Sequence, residues 1–282
     1  MKSGYTKEKI LIWAKTYPEL SKRYLETVCT AGMLESGKPL RLYPIPYRYL
    51  GGGDEQFKLY QWITAGIIKN PDDPRPESYK IDCDSIESGE MVPSTKDEWG
   101  KRSGWMFKDP SWQFESVEDL VKSQEEHGTS IGVVAPREIK KIEIIERSEE
   151  EAKSFDQKFS EVKKIHDARR AQIDMFEKAI PPEMKQLEFV KWRVQVTWLC
   201  KNPECNSHRM QVLDWGLCEL QRRDGNDAAL ERMKDLCRLD VYDVKFFLGN
   251  LFLHPMSFMI VGMWYPKRRD DMLRFTGGLD VS

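Results

Sequence analysis

Residues 189–216 read FVKWRVQVTWLCKNPECNSHRMQVLDWG, and the way this stretch folds sets the architecture of the last third of the chain. Val190, Trp192, Val194, Val196 and Trp198 alternate with polar residues, the period-two signature of a strand with one face buried. Cys200, Cys205 and His208 follow, separated by turn-forming Lys-Asn-Pro-Glu and Asn-Ser segments, so the chain can fold back on itself there. Beyond them Met210, Leu213, Leu217 and Leu220 share one helical face, which predicts a helix from about Met210. Asn226 is placed to cap a second helix. The apolar runs KFFLGNLFLH and SFMIVGMWYP meet at His254 and Pro255 and predict a hairpin.

Thiolate and imidazole are the donors that zinc prefers, and a short loop brings them together at little entropic cost. Cys200, Cys205 and His208 are therefore candidate metal ligands, with zinc the expected cofactor. A fourth ligand is needed to close the site. If the two helices run out and back, Cys237 returns to the level of the loop, with His254 and Cys218 as alternatives. An open fourth position with Asp214 or Glu219 as base would instead suit a metal-dependent nuclease or hydrolase, although their spacing of five turns the two to different helix faces.

Composition limits the remaining choices. The 282 residues are 40% hydrophobic, enough for more than one core. Lys plus Arg number 44 against 46 Asp plus Glu, a net charge of -2, so no general polyanion-binding tail is present. No apolar run reaches membrane-spanning length and the first residues hold no signal-like core, from which a cytoplasmic location without a membrane partner is expected. Six cysteines in that setting point to reduced thiols and metal ligands over disulfides, with Cys29 and Cys83 as plain core or strand residues. The marks of nucleotide-loop enzymes, zincins and α/β-hydrolases are absent from the sequence.

Working outward, SVEDLVKSQEEHG predicts a helix capped by Ser116 and ended by Gly128. TSIGVV and REIKKIEIIE predict two strands. Glu149 to Lys178 predicts a long helix with an apolar seam at Phe155, Phe159, Val162, Arg169, Ile173 and Phe176, His166 half-buried or exposed within it, and Pro181 and Pro182 at its end. Nearer the N-terminus KILIWAK, LETVCTAGML, PLRLYPIPYRYL and EQFKLYQWITAGII read as strands, divided by LESGKP and the Gly-rich turn LGGGDE. From NPDDPRPES to about Trp112 the composition predicts a long, Pro-rich loop with a short helix near Ser94 or Thr95, and an ion pair of Arg75 with Asp72 or Asp73. The expected domains are residues 1–112, 113–183 and 184–282.

The first of these interleaves Arg41, Arg48 and Lys58 with Tyr43, Tyr47, Tyr60 and Trp62. Aromatic faces that stack bases, beside cations that follow phosphates, are what single-strand binders use. Trp99, Lys101, Arg102, Trp105 and Lys108 form a second such cluster. The segments ETVCTAG, LRLYPIPYR and IGVVAPREI resemble the pattern of the prokaryotic dual OB-fold family, and the C-x4-C-x2-H, LDW and GNLFLHP segments resemble the C-terminal part of uncharacterised bacterial proteins. The first resemblance implies two tandem barrels and a nucleic-acid-associated module from a phage-defence or mobile-element setting. The expected fold class is α+β: OB-like small β-barrel units followed by a long helix and a metal-stabilised α/β C-terminal domain. The expected function is binding of nucleic acid, single-stranded above all, or of a protein partner, with a structural zinc; a non-enzymatic module is favoured, and a metal-dependent nuclease or hydrolase acting from the C-terminal domain is the alternative.

Overall fold

A computed structural model describes residues 1–50, 56–94, 98–171 and 182–268. The Gly-rich turn, Thr95, the last seam residues Ile173 and Phe176, and Pro181 lie outside the described residues. The first sheet has six strands: β1 (Thr6–Lys15), β2 (Glu19–Ser21), β3 (Leu25–Leu34), β4 (Pro39–Ile45), β5 (Gln61–Lys69) and β6 (Ser78–Met91). Their order is β1-β5-β6-β4-β3-β2, with β1 also paired to β3. All contacts are antiparallel except β4 with β6, where Arg41 faces Ser78. Ile10, Ile12, Leu40, Leu42, Ile63, Ile67 and Ile81 fill one core beneath it.

Helix α1 (Glu98–Met106) and strand β7 (Gln113–Phe114) lead into α2 (Val117–His127), then β8 (Ile131–Val134), β9 (Glu138–Glu146) and the long α3 (Glu149–Ala171). After the seam helix come β10 (Trp192–Leu199), β11 (His208–Gln211), α4 (Trp215–Asp224), α5 (Asn226–Leu236), β12 (Lys245–Asn250) and β13 (Phe258–Trp264). β8 and β9 part company. β9 joins a three-stranded sheet in the order β11-β10-β9, while β8 joins a four-stranded sheet in the order β13-β12-β8-β7. Val194 sits opposite Ile144, and Val196 lies between Ile142 and Met210, so the alternating face of β10 is core. Trp13, Trp112 and Phe247 join the first sheet to the four-stranded one, with Trp112 stacked on Phe247 at 5.7 Å between ring centres.

The expected fold class needs correction. The fold is α+β with three sheets, not a tandem of OB-type barrels. β8 and β9, which the dual OB-fold resemblance would place together in a second barrel, belong to two separate open sheets, each completed by strands from the last third of the chain. The aromatic and basic side chains of the first sheet are turned largely into cores and ion pairs, as detailed below, and present no barrel face.

Four local expectations also change. The stretch expected as a long loop contains β6, the longest strand of the described residues at 14 residues; its acidic, Ser-rich sequence hides Ile81 and Ile86, which reach the core. Met210 and Val212 alternate as strand residues, and the helix begins only at Trp215, capped by Asp214, whose carboxylate accepts from the Leu217 amide at 2.8 Å. Asn226 is the first residue of α5 rather than its cap. His166 is buried and bonds the Pro182 carbonyl at 2.7 Å, while Val162, Phe155 and Phe159 pack on Leu20 and Leu187.

Candidate metal centre

The loop between β10 and β11 is the turn of a β-hairpin, closed by Trp198 facing His208. Asn202 organises it: its carbonyl accepts from the Cys205 amide at 3.1 Å and its side chain from the Glu204 amide at 3.0 Å. Ser207 takes φ 126°, a conformation that L-residues rarely adopt, and so delivers His208 onto the loop at a local cost in strain. His208 Nε2 then lies 3.2 Å from Cys205 Sγ and 3.3 Å from Cys200 Sγ. The His208 ring also lies 5.1 Å from the ring of wholly buried Trp198, which fixes its orientation from the core side.

The fourth donor comes from elsewhere in the chain. Glu118, in the first turn of α2, places Oε2 3.2 Å from Cys200 Sγ and Oε1 3.5 Å from His208 Nε2. The four donor atoms lie within 4.8 Å of one another, so small side-chain shifts would bring them to the roughly 3.3–3.8 Å between ligands of a tetrahedral zinc whose bonds are about 2.0–2.3 Å. Glu118 is held there from both sides. Ser116 caps α2, accepting from the Asp119 amide at 3.0 Å, and Gly132 of β8 lets the helix approach: a Cβ there would stand 2.7 Å from Leu120 Cδ1. Lys201 pairs with Glu115 at 2.9 Å across the same junction.

Electrostatics prepare the donors. Burial pushes the Cys200 thiol up to about 11 and lowers the His208 imidazole below its ordinary value. Burial acts to raise Glu118, but its own backbone amide, the Cys200 hydrogen bond and His208 outweigh it and leave the carboxyl lowered. Without metal the site holds a neutral imidazole and a protonated Cys200. A bound cation must therefore expel the thiol proton. Two thiolates, one imidazole and one carboxylate match the soft-to-borderline preference of zinc, and four protein donors leave no open position.

The expected alternatives for the fourth ligand stand apart. Cys237 ends α5 inside the core, where burial pushes it up to about 12. Cys218 is likewise raised to about 12 by burial on α4, and His254 is exposed between β12 and β13. Neither Asp214, which caps α4, nor Glu219, which bonds Trp215 and Arg222, joins the cluster. Sequence spacing missed Glu118 because it lies 82 residues from Cys200; its one local signal, an acid in the first turn of a capped helix, is common to many helices.

The aromatic and basic residues of the first sheet are not gathered on one exposed face. Arg41 is 5% exposed, and its Nε donates to Ser130 Oγ at 3.0 Å. Arg48 forks onto Glu26 at 2.9 and 2.8 Å. Tyr47 packs edge-on against Trp215 and Phe57, with Lys15 4.0 Å above its ring. Tyr60 lies buried under the Arg102 guanidinium at 3.8 Å, and Trp62 is buried against Trp105. Of the seven, Tyr43 and Lys58 are exposed. In the second cluster, Trp99 and Trp105 also pack on the cores, and Lys108 caps the Glu35 carbonyl at 2.6 Å.

Fold and site together define an α+β protein with a Cys, Cys, His and Glu cluster able to hold a metal ion. Residues 113–277, more than half of the chain, match the family model Domain of unknown function (DUF8757), and the chain belongs to that family. Residues 6–108 match a second model, Domain of unknown function (DUF8758), which with the open sheets replaces the dual OB-fold resemblance. All four donors fall within the longer match. No curated protein matches the chain. No helix among the described residues is long and apolar enough to cross a membrane.

Proposed function

We propose that the protein is a non-enzymatic adaptor whose Glu118, Cys200, Cys205 and His208 hold one structural zinc ion. The observation that carries this reading is the fourth donor: a carboxylate from α2 completes a set whose other three members share one hairpin turn. Zinc would supply a cross-link between that hairpin and the helix that opens the longer family match, the role a small structural metal plays where burial alone is thin. Reduced thiols are needed for this, which favours a reducing compartment such as the cytoplasm. The burial and pairing of Arg41, Arg48, Tyr60 and Trp62 withdraw the side chains that a single-strand nucleic-acid reading relied on, and weigh towards a protein or surface partner.

Elemental analysis of the purified protein, repeated on Cys200→Ser and Glu118→Ala, tests the reading. About one zinc per chain, lost with folding stability in Cys200→Ser, is expected. Zinc-dependent cleavage of a nucleic acid or ester, with the fold intact in Glu118→Ala, would move the site to the alternative of a metal-dependent nuclease or hydrolase. Absence of metal after preparation in zinc-containing medium would remove both.

A further inference from the structure

Among the described residues seven large hydrophobic side chains are exposed, and four of them lie in the turn between β12 and β13: Leu251, Phe252, Leu253 and Met256. Scattered exposure is ordinary; concentration in one turn marks an interaction site. Leu253 is 80% exposed and Phe252 51%.

The backbone beneath these side chains is fixed. Buried Asn250 donates from its side chain to the Pro255 carbonyl at 2.8 Å and from its amide to the Ser130 carbonyl at 3.1 Å. Inside the turn the His254 amide bonds the Leu251 carbonyl at 3.2 Å and the Ser257 amide the His254 carbonyl at 2.9 Å. The result is a convex apolar tip on a hairpin anchored to β8.

Cations flank it. The Arg75 guanidinium lies 5.6 Å from the Phe252 ring centre and donates to the Asn250 carbonyl at 3.2 Å. Lys69 Nζ reaches the Arg75 carbonyl at 2.8 Å and, among the described residues, has no carboxylate within ion-pair distance. Glu77, Lys38 and Asp73 all lie close enough for their charges to act on Lys69. Asp73 neutralises Arg75 locally at 2.6 Å, and Glu77 is turned inward to Ser130. Lys38, Lys69 and Arg75 against Asp73 and Glu77 leave the flank with one net positive charge beside an uncharged apolar tip.

Four such side chains expose a few hundred Å² at most, short of the roughly 800 Å² per partner that a stable protein interface or dimer buries. A lipid headgroup boundary makes no demand for a complementary groove, takes up convex apolar tips, and rewards neighbouring cations when the lipid is anionic. We propose that the Leu251–Ser257 turn is a peripheral anchor that enters the headgroup boundary of an anionic bilayer, with Lys38 and Lys69 facing its phosphates. The contact is superficial and needs no spanning helix. It goes beyond the adaptor reading, and it stands whether the metal is structural or catalytic.

Co-sedimentation of the full, metal-loaded chain with phosphatidylcholine vesicles, with and without about one third phosphatidylglycerol, tests it. Binding is expected to the anionic vesicles and to be about ten-fold weaker to the neutral ones. Leu253→Asp, with unchanged zinc content and melting temperature, is expected to lower anionic-vesicle binding at least about ten-fold, and Lys69→Gln about five-fold. Failure to sediment with either vesicle, or equal binding by Leu253→Asp, overturns the proposal. So does a dimer in sedimentation velocity that Leu253→Asp dissociates, since a second copy would then cover the turn. A metal-free wild type that still binds vesicles separates failure of the zinc reading from failure of this one.

Discussion

The hairpin turn between β10 and β11 and the aromatic strands of the first sheet carry side chains of equally suggestive chemistry, yet the fold uses them in opposite ways. In the turn, two thiols and an imidazole converge within about one hydrogen-bond length of each other and recruit a carboxylate. In the sheet and the turn before β5, Arg41, Tyr60 and Trp62 point inward, each matched by a partner of its own: Ser130, Arg102 and Trp105. Convergence on one point makes a site. Alternation along strands distributes side chains to opposite faces, and where both faces are covered it makes core.

That contrast can be broken by substitution. The largest effect is expected at the turn: Cys200→Ser should abolish metal retention and cost on the order of several kcal/mol in urea unfolding, whereas a loop without metal would lose far less. Next comes the sheet. Arg41→Ala leaves Glu77 and Ser130 without their buried cation and should cost about 3–5 kcal/mol; near-wild-type stability would mean that Arg41 is held for a ligand rather than for the fold. Acid should release the metal. Cys200, at about 11 without metal, must give up its proton to bind, so chelator competition should show affinity falling at least about ten-fold per pH unit below neutrality. His208, lowered by burial, adds to that fall only below its ordinary value near about 6.5. Ser116→Ala removes the cap that sets Glu118 and should cost about 1 kcal/mol, with zinc still bound but more weakly. The smallest effect is at Tyr43, exposed on β4: Tyr43→Ala should change stability by no more than about 0.5 kcal/mol.

What could be read without coordinates follows from where each signal resides. The alternation of Val194, Val196 and Trp198, the Ser116 and Gly128 ends of α2, and the β12–β13 hairpin depend on neighbours in sequence, and all three form as expected. β6 was hidden because its pairing to β5 and β4, rather than its own composition, makes it a strand. Met210 fits a helical face and a strand face alike, and pairing with Val196 decides between them. Glu118 belongs to the metal cluster only through the docking of α2, where Leu120 packs against Gly132, and no spacing rule in the sequence expresses that contact. The barrel expectation failed for a related reason: the local patterns of β8 and β9 are those of strands, but which strands they join is settled far away in the chain.

The strand pairing of β8 and β9 also sets a timetable for synthesis. A ribosome releases the first sheet with all its strands present once residue 91 is out, but β9 has no neighbour until β10 arrives and β8 none on its β12 side until residues 245–250 follow. At about 5–20 residues per second, the middle segment waits on the order of ten seconds with unpaired edges. Until His208 is synthesised, Glu118 lacks its complete set of partner donors. The long, charged α3, which can form from local contacts alone, is the part of that waiting stretch able to take shape at once. The nascent chain therefore passes through a stage in which the first sheet is paired and α3 follows two strands with open edges, the stage at which chaperones have most to hold.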